Sequence, residues 1–215
     1  MAALELYTYF RSSAAYRVRI ALNLKRLAYQ PRFVHLAKGE QRRPEYREIN
    51  PQGLVPTLVD KGMVFTQSLA IIEYLNEKYP EPPLLPRRRD ERAYVRALAQ
   101  ILACDIHPLN NLRVTRYLAD VLGQDEPART AWIRHWIEEG FEAFEEQLTR
   151  HDSGGRFCFG DAPTLADICL VPQVFNARRF GCDLSGFPKI RAIDENCLAL
   201  AAFRDAAPEQ QADAS

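Results

Sequence analysis

Apolar residues follow two rhythms along this chain, and the change between them divides it. Leu4, Leu6, Thr8 and Phe10 alternate with Glu5, Tyr7 and Tyr9, the pattern of a strand with one buried face. From Ala14 to Arg26 the period becomes helical. Ala14, Val18, Ala21 and Leu22 share one face, while Arg17, Arg19, Asn23, Lys25 and Arg26 fall mostly outside it. Residues 31–36 read as a second strand centred on Phe33 and Val34. Residues 55–59 and 64–66 flank Asp60-Lys61-Gly62, which predicts a hairpin with a short glycine-containing turn. Ser68 then reads as the N-cap of a helix through Glu77 that buries Ile71, Ile72 and Leu75. The order strand, helix, strand, hairpin, helix predicts a small α/β sandwich of about 80 residues.

Residues 79–86 hold Pro80, Pro82, Pro83 and Pro86, a stiff stretch that cannot continue a helix. A domain boundary is expected there, giving an α/β domain at 1–83 and an all-helical domain at 90–215. In the second half Tyr94, Val95, Leu98, Ile101 and Leu102 form one helical face. Trp132, Ile133, Trp136, Ile137, Phe141, Phe144 and Leu148 form a longer one. Thr164-Leu165-Ala166-Asp167 has the form of a capping box, leading into a central helix through Ile168–Val174. Arg87-Arg88-Arg89 reads as a solvated helix entry, and the polar tail from Pro208 is expected to fray.

Composition narrows the class. Basic and acidic residues both number 28, so the formal charge is zero, and nothing global points to nucleic acid or an anionic membrane. The five cysteines show no C-x-x-C pair and the four histidines no H-E-x-x-H, so no structural metal is expected. Dispersed cysteines read as buried, reduced thiols, including Cys104 beside His107. With no signal segment and no bilayer-length apolar run, they favour the cytoplasm.

Three short sites carry candidate chemistry. Arg11-Ser12-Ser13 stands where the first strand gives way to a helix. A helix N-terminus offers unpaired N–H groups and partial positive charge, so it suits a phosphate, a carboxylate or a thiolate. Val55-Pro56 places a proline at the start of a strand. Taken alone it reads as an edge-strand proline; with a cis bond, Val55 could instead offer its backbone N–H and C=O to a peptide-like ligand. Gln67-Ser68 opens another helix, whose end could cap itself or bind a carboxylate.

In order and placement these three sites resemble the glutathione site of the glutathione transferases. The run Tyr9-Phe10-Arg11-Ser12-Ser13-Ala14-Ala15-Tyr16-Arg17-Val18-Arg19-Ile20-Ala21-Leu22 is similar to the zeta-class signature. The similarity continues through residues 50–58, 67–75, 105–111, 160–167 and 170–174. It implies a thioredoxin-like N-terminal domain, an all-α C-terminal domain and a homodimer. It also implies a glutathione-dependent cis–trans isomerase converting maleylpyruvate or maleylacetoacetate to its fumaryl isomer in aromatic-compound catabolism. A broad transferase acting on small α-halo acids is the alternative. The chain departs from the signature at Ala14, where a cysteine is common, so the reacting thiol must come from glutathione.

The resemblance implies roles by position. Ser12 activates the thiol, with Tyr9 and Ser13 as rivals. Ser13, Gln41, Gln52, Val55, Gln67, Ser68 and Asn111 contact glutathione. Arg11, His107, Arg113 and Arg179 bind the substrate, and Arg11 also stands beside the reacting sulfur. Arginine suits a substrate with two carboxylates because its planar fork pairs with carboxylate bidentately. Arg178, adjacent to Arg179, is a second candidate, since one helical position turns a side chain by about 100°.

Overall fold

The computed structural model describes residues 4–151 and 153–214; residues 1–3 and Ser215, the outer limits of the two expected domains, lie outside this range. The strands are β1 (Leu4–Thr8), β2 (Tyr29–Phe33), β3 (Thr57–Asp60) and β4 (Met63–Thr66). The helices are α1 (Ser13–Leu24), α2 (Pro44–Ile49), α3 (Ser68–Lys78), α4 (Arg89–Gln100), α5 (Leu112–Asp120), α6 (Glu126–Arg150), α7 (Leu165–Arg179), α8 (Pro188–Leu198) and α9 (Ala201–Arg204). The chain forms two compact units. One comprises the chain up to Pro83 together with the segment from Ala199; the other is Leu84–Leu198. The expected helical domain ran on through residue 215, whereas residues from Ala199 pack with the first unit.

The first unit is a four-stranded mixed sheet in the order β2-β1-β3-β4. β1 runs parallel to β2 (Leu4 beside Tyr29, Thr8 beside Phe33) and antiparallel to β3. α1 makes the crossover that parallel neighbours require. β1 stops at Thr8 rather than Phe10, because the chain turns there and the Ser12 N–H donates to the Tyr9 carbonyl at 3.0 Å. β2 begins two residues earlier than its apolar pattern suggested. Its register against β1 sets its limits, and it is an exposed edge strand, where Pro31 removes no needed donor. In the hairpin, Lys61 and Gly62 both have positive φ, the conformation that matches strand twist in a two-residue turn.

α1 departs most from its pattern. Every residue from Ala15 to Leu22 is buried, including Arg17 and Arg19 at 1% and 0% exposure. α3 packs on one side and α9 on another, so the predicted polar face is covered. Burial is tolerable for Arg19 because its guanidinium donors find acceptors; Arg17 reaches Ser68 through Nη1 while its buried Nε lacks an acceptor. Within residues 208–214, where fraying was expected, Pro208–Gln210 form a 3-10 turn, and the Gln211 amide donates to the carbonyls of Asp205 and Ala207 at 3.0 and 2.9 Å.

Among the described residues the second unit consists of helices joined by loops, with no strand. α4 runs without a break into a π-helical segment, Ile101–Ile106, a form common at functional sites. Its last residue, Ile106, seats against Gly140 of α6, where a β-carbon would clash with the Ile106 side chain. α7 is the buried centre, packed on α4 and α8. It opens with the predicted capping box of Thr164 and Asp167. Asp167 also accepts the Cys158 N–H at 2.8 Å, and burial raises its pKa above the usual carboxylate value. Cys158, Cys169 and Cys197 are buried, but Cys104 is exposed and Cys182 half-buried, so the expectation of uniformly buried thiols is corrected. Among the described residues no helix is long and apolar enough to cross a membrane, and no group of three or more His, Cys, Asp or Glu could hold a metal ion.

Candidate functional site

In the first unit the β1–α1 junction is built around Ser12. It is the N-cap of α1, with extended backbone, and its Oγ accepts the Ala15 N–H at 3.1 Å. A hydroxyl has one donor and two lone pairs. Capping uses a lone pair, so the O–H remains able to donate to an anion at the helix N-terminus. Arg11 is exposed, with its guanidinium 4.9 Å from the Phe10 ring centroid. Ser13 is the first helical residue. Tyr9 is placed differently: its ring is buried in a cluster with Phe10, Val34, Tyr46 and Val55.

The loop before β3 holds the next candidates. The Val55–Pro56 bond is cis. β3 lies between β1 and β4, so an edge-strand proline does not describe Pro56, which precedes an interior strand. Neither the N–H nor the C=O of Val55 is taken up by a hydrogen bond among the described residues. The loop is braced from beneath by residues the sequence reading passed over. The Asn50 amide donates to the Leu54 carbonyl at 2.8 Å and to Thr57 Oγ1 at 3.1 Å, and its Oδ1 accepts the Gln52 N–H. The Tyr46 hydroxyl reaches the same carbonyl at 2.6 Å and lies 2.9 Å from Thr57 Oγ1. Asparagine before a Pro-Gln-Gly turn was the available signal, since asparagine readily bonds backbone two residues on.

Gly53 brings the loop against the neighbouring 3-10 turn at Glu40–Arg42. It has φ +60, and a β-carbon there would stand 2.8 Å from the Gln41 carbonyl oxygen. Gln41 is 7% exposed, and its buried Oε1 has no hydrogen-bond partner. A buried, unanswered acceptor is costly unless something completes it. Gln52 accepts from Gln67 Nε2 at 2.9 Å, so two candidates from separate loops meet.

Gln67 rather than Ser68 is the N-cap residue of α3, and it makes no side-chain capping bond. Its φ of +67 is rare for a side chain of this kind and concentrates at functional sites. Ser68 is the first residue of the helix. Its Oγ accepts from Arg17 Nη1 at 3.4 Å, so a cation stands behind the N–H groups of the helix end.

In the second unit His107 follows the π-helical segment, and its N–H donates to the Leu102 carbonyl at 3.2 Å. Asn111 is the N-cap of α5, its Oδ1 accepting the Arg113 N–H at 3.1 Å, so that oxygen is committed to the helix. Arg113 is exposed in the first turn. Trp132 of α6 donates from Nε1 to the Leu109 carbonyl at 2.9 Å, which ties this segment to the long helix. At the end of α7 the two adjacent arginines separate. Arg178 pairs with the fully buried Asp194 of α8 at 2.7 Å, while Arg179 is exposed and lies over the Phe180 ring at 5.0 Å.

Known proteins share this arrangement. Residues 6–83 match the glutathione S-transferase N-terminal domain and residues 126–193 its C-terminal domain. A probable maleylacetoacetate isomerase from Vibrio cholerae is 52% identical over the whole of both chains. A solved maleylpyruvate isomerase, described as a bacterial zeta-class glutathione S-transferase in its holo form, is 51% identical. It superposes with a TM-score of 0.96 over 98% of this chain and 100% of its own. A maleylacetoacetate isomerase from Anaeromyxobacter dehalogenans, solved with dicarboxyethyl glutathione and citrate in its active site, is 44% identical. Its TM-score is 0.87 over 99% of this chain and 94% of its own. With both halves matched and identity sustained from end to end, the chain belongs to the glutathione S-transferase family, in its zeta class.

Proposed function

We propose that this protein is a glutathione-dependent cis–trans isomerase that converts a maleyl keto acid, maleylpyruvate or maleylacetoacetate, to its fumaryl isomer. The Ser12 hydroxyl carries this reading: its oxygen caps α1 while its proton stays available at the positive end of that helix. The full-length relatives named as isomerases support it and do not favour a broad transferase of α-halo acids. Glutathione, when bound, would supply a thiolate for reversible addition to the maleyl double bond, the chemistry that permits rotation about that bond without consuming the thiol.

The chain's own residues have the following parts. Ser12 donates to the sulfur and, with the α1 N-terminus, favours its ionised form over a thiol whose pKa in solution is about 8.5. Ser13 adds a second hydroxyl at the same helix end. The backbone of Val55 pairs with the backbone of the tripeptide. Ser68 and the α3 N-terminus hold a carboxylate, with the Arg17 cation behind them. Gln52 and Gln67 form a joined pair of amides along the same ligand, and Gln41 offers the buried acceptor that lacks a partner. Asn111 contributes its remaining amide donors. Arg11, His107, Arg113 and Arg179 bind the substrate carboxylates and the negative charge that develops on addition. Arg178 is assigned a structural part because Asp194 already engages it.

A homodimer is part of the reading. The β4 edge exposes Met63 and Val64, and an apolar unpaired edge calls for a covering partner. The five free thiols fit a reducing cytoplasm. The decisive assay follows loss of the maleyl chromophore with each keto acid, with and without glutathione. Turnover that requires glutathione is expected; equal rates without it would sink the proposal.

A further inference from the structure

The chain between Thr8 and Ser12 must turn from strand to helix while aiming two functional side chains, and its backbone is fixed from within the first unit. The Val34 N–H donates to the Thr8 carbonyl at 2.9 Å, and the Ser12 N–H to Tyr9 at 3.0 Å. Arg19, fully buried, donates from Nη1 to Thr8 Oγ1 at 3.1 Å and to the Tyr9 carbonyl at 3.4 Å. Its Nη2 donates to the Phe10 carbonyl at 3.0 Å. The same guanidinium turns its Nε to the Ala206 carbonyl, also at 3.0 Å. One cation therefore bridges the turn and the C-terminal segment.

That segment answers with a carboxylate. Asp213 Oδ2 accepts the Phe10 N–H at 3.0 Å, the residue immediately before Arg11. Its placement is not casual. The Tyr16 hydroxyl holds the Phe203 carbonyl at 3.2 Å and the Asn23 amide holds Ala202 at 3.1 Å. Ala214 packs against the cluster of Tyr9, Phe10, Val34, Tyr46 and Val55. Burial pushes the Arg19 pKa down to about 10, opposed by Tyr29, Tyr16 and, to a smaller extent, Asp213. Arg19 thus remains a cation at neutral pH.

We propose that Asp213, acting with Arg19, is a positioning residue for the thiol-activating turn: its carboxylate fixes the Phe10 N–H and so sets the direction in which Arg11 and Ser12 leave β1. Neither residue touches the reacting atoms. The inference rests on the functional reading above for the role of Ser12. A misplacement of about 1 Å at a reacting group can cost a hundredfold in rate, and the charge-assisted hydrogen bond from the Phe10 N–H to Asp213 adds to the Arg19 bonds that hold the turn against it. Most of the proposed grip on glutathione comes from other loops, at Gln41, Gln52, Val55 and Gln67-Ser68, so it should change less than the rate.

The test compares the full-length protein with Asp213→Ala and Asp213→Asn, measuring kcat, KM for glutathione, thermal midpoint and amide exchange at Phe10. The Ala variant should lose about tenfold in kcat with KM changed less than twofold. The Asn variant keeps an acceptor for the Phe10 N–H and should retain at least half the kcat. An Ala variant within twofold of the unsubstituted kcat, an Asn variant as slow as Ala, or a loss confined to KM would overturn the inference. If the unsubstituted protein shows no glutathione-dependent turnover, the functional reading fails and exchange alone decides. Faster exchange at Phe10 in the Ala variant than in the Asn variant then supports the positioning role, and equal rates in all three proteins refute it.

Discussion

Gly53→Ala adds one carbon where two candidate ligand-binding loops touch. The native φ of +60 lies in the left-handed region, and the new β-carbon would sit 2.8 Å from the Gln41 carbonyl oxygen. The opposing atom is backbone, so it cannot swing aside. Gly62 is the matched control, with φ +83 and nothing within 4 Å. An alanine forced into the left-handed region costs about 1 kcal/mol, the expected loss for Gly62→Ala. At Gly53 the clash adds a backbone shift of about 1–2 kcal/mol, for a total of about 2–3 kcal/mol. Urea unfolding of both variants, followed by far-ultraviolet circular dichroism, reads the difference. The same shift moves Gln41 and Gln52, so calorimetric titration should find glutathione binding about tenfold weaker in Gly53→Ala, the equivalent of one lost hydrogen bond. Gly62→Ala should bind within twofold of the unsubstituted protein. Equal destabilisation of the two variants, or intact glutathione affinity in Gly53→Ala, would refute the close-approach argument.

Ser12→Ala should lower kcat about a hundredfold through loss of a donor to the sulfur, with a smaller effect on glutathione binding; an unchanged rate would transfer the role to Ser13 or Tyr9. The lost cap should also cost about 1 kcal/mol of stability. Arg178→Met strands the buried Asp194 carboxylate and should destabilise by about 2 kcal/mol, since the arginine itself is half exposed. Arg179→Met should instead raise KM for the maleyl substrate and cost less stability than Arg178→Met, and the reverse pattern would exchange the two assignments. Thiol labelling of the native protein should show one fast cysteine, absent in Cys104→Ser. Cys182, whose pKa burial raises to about 11, should react faster as pH climbs toward that value, because the thiolate fraction grows. Rapid labelling of Cys158, Cys169 or Cys197 without unfolding would contradict their burial.

Much of this protein is local and therefore legible in the chain. Alternation marks β1, turn chemistry marks the hairpin at Lys61-Gly62, and the Thr164–Asp167 spacing marks the start of α7, because each depends on residues a few positions apart. The helix-end sites at Ser12 and Gln67-Ser68 were visible for the same reason, although conformation shifted the cap from Ser68 to Gln67. The limits of β2 were not legible, since pairing with β1 sets them. Nor was the burial of Arg17 and Arg19, because a helix pattern does not reveal which segment will cover its polar face; here α9 and the tail do so from the far end of the chain. The tail's polar composition suggested fraying, yet Asp213 reaches Phe10 across 203 positions of sequence. Sequence by itself determined the fold class and the family, and it supplied the candidate residues of the proposed site. Tertiary structure decided which arginines are buried, that Arg178 pairs with Asp194, and how the C-terminal segment braces the turn that carries Ser12, because each of these depends on partners distant in the chain.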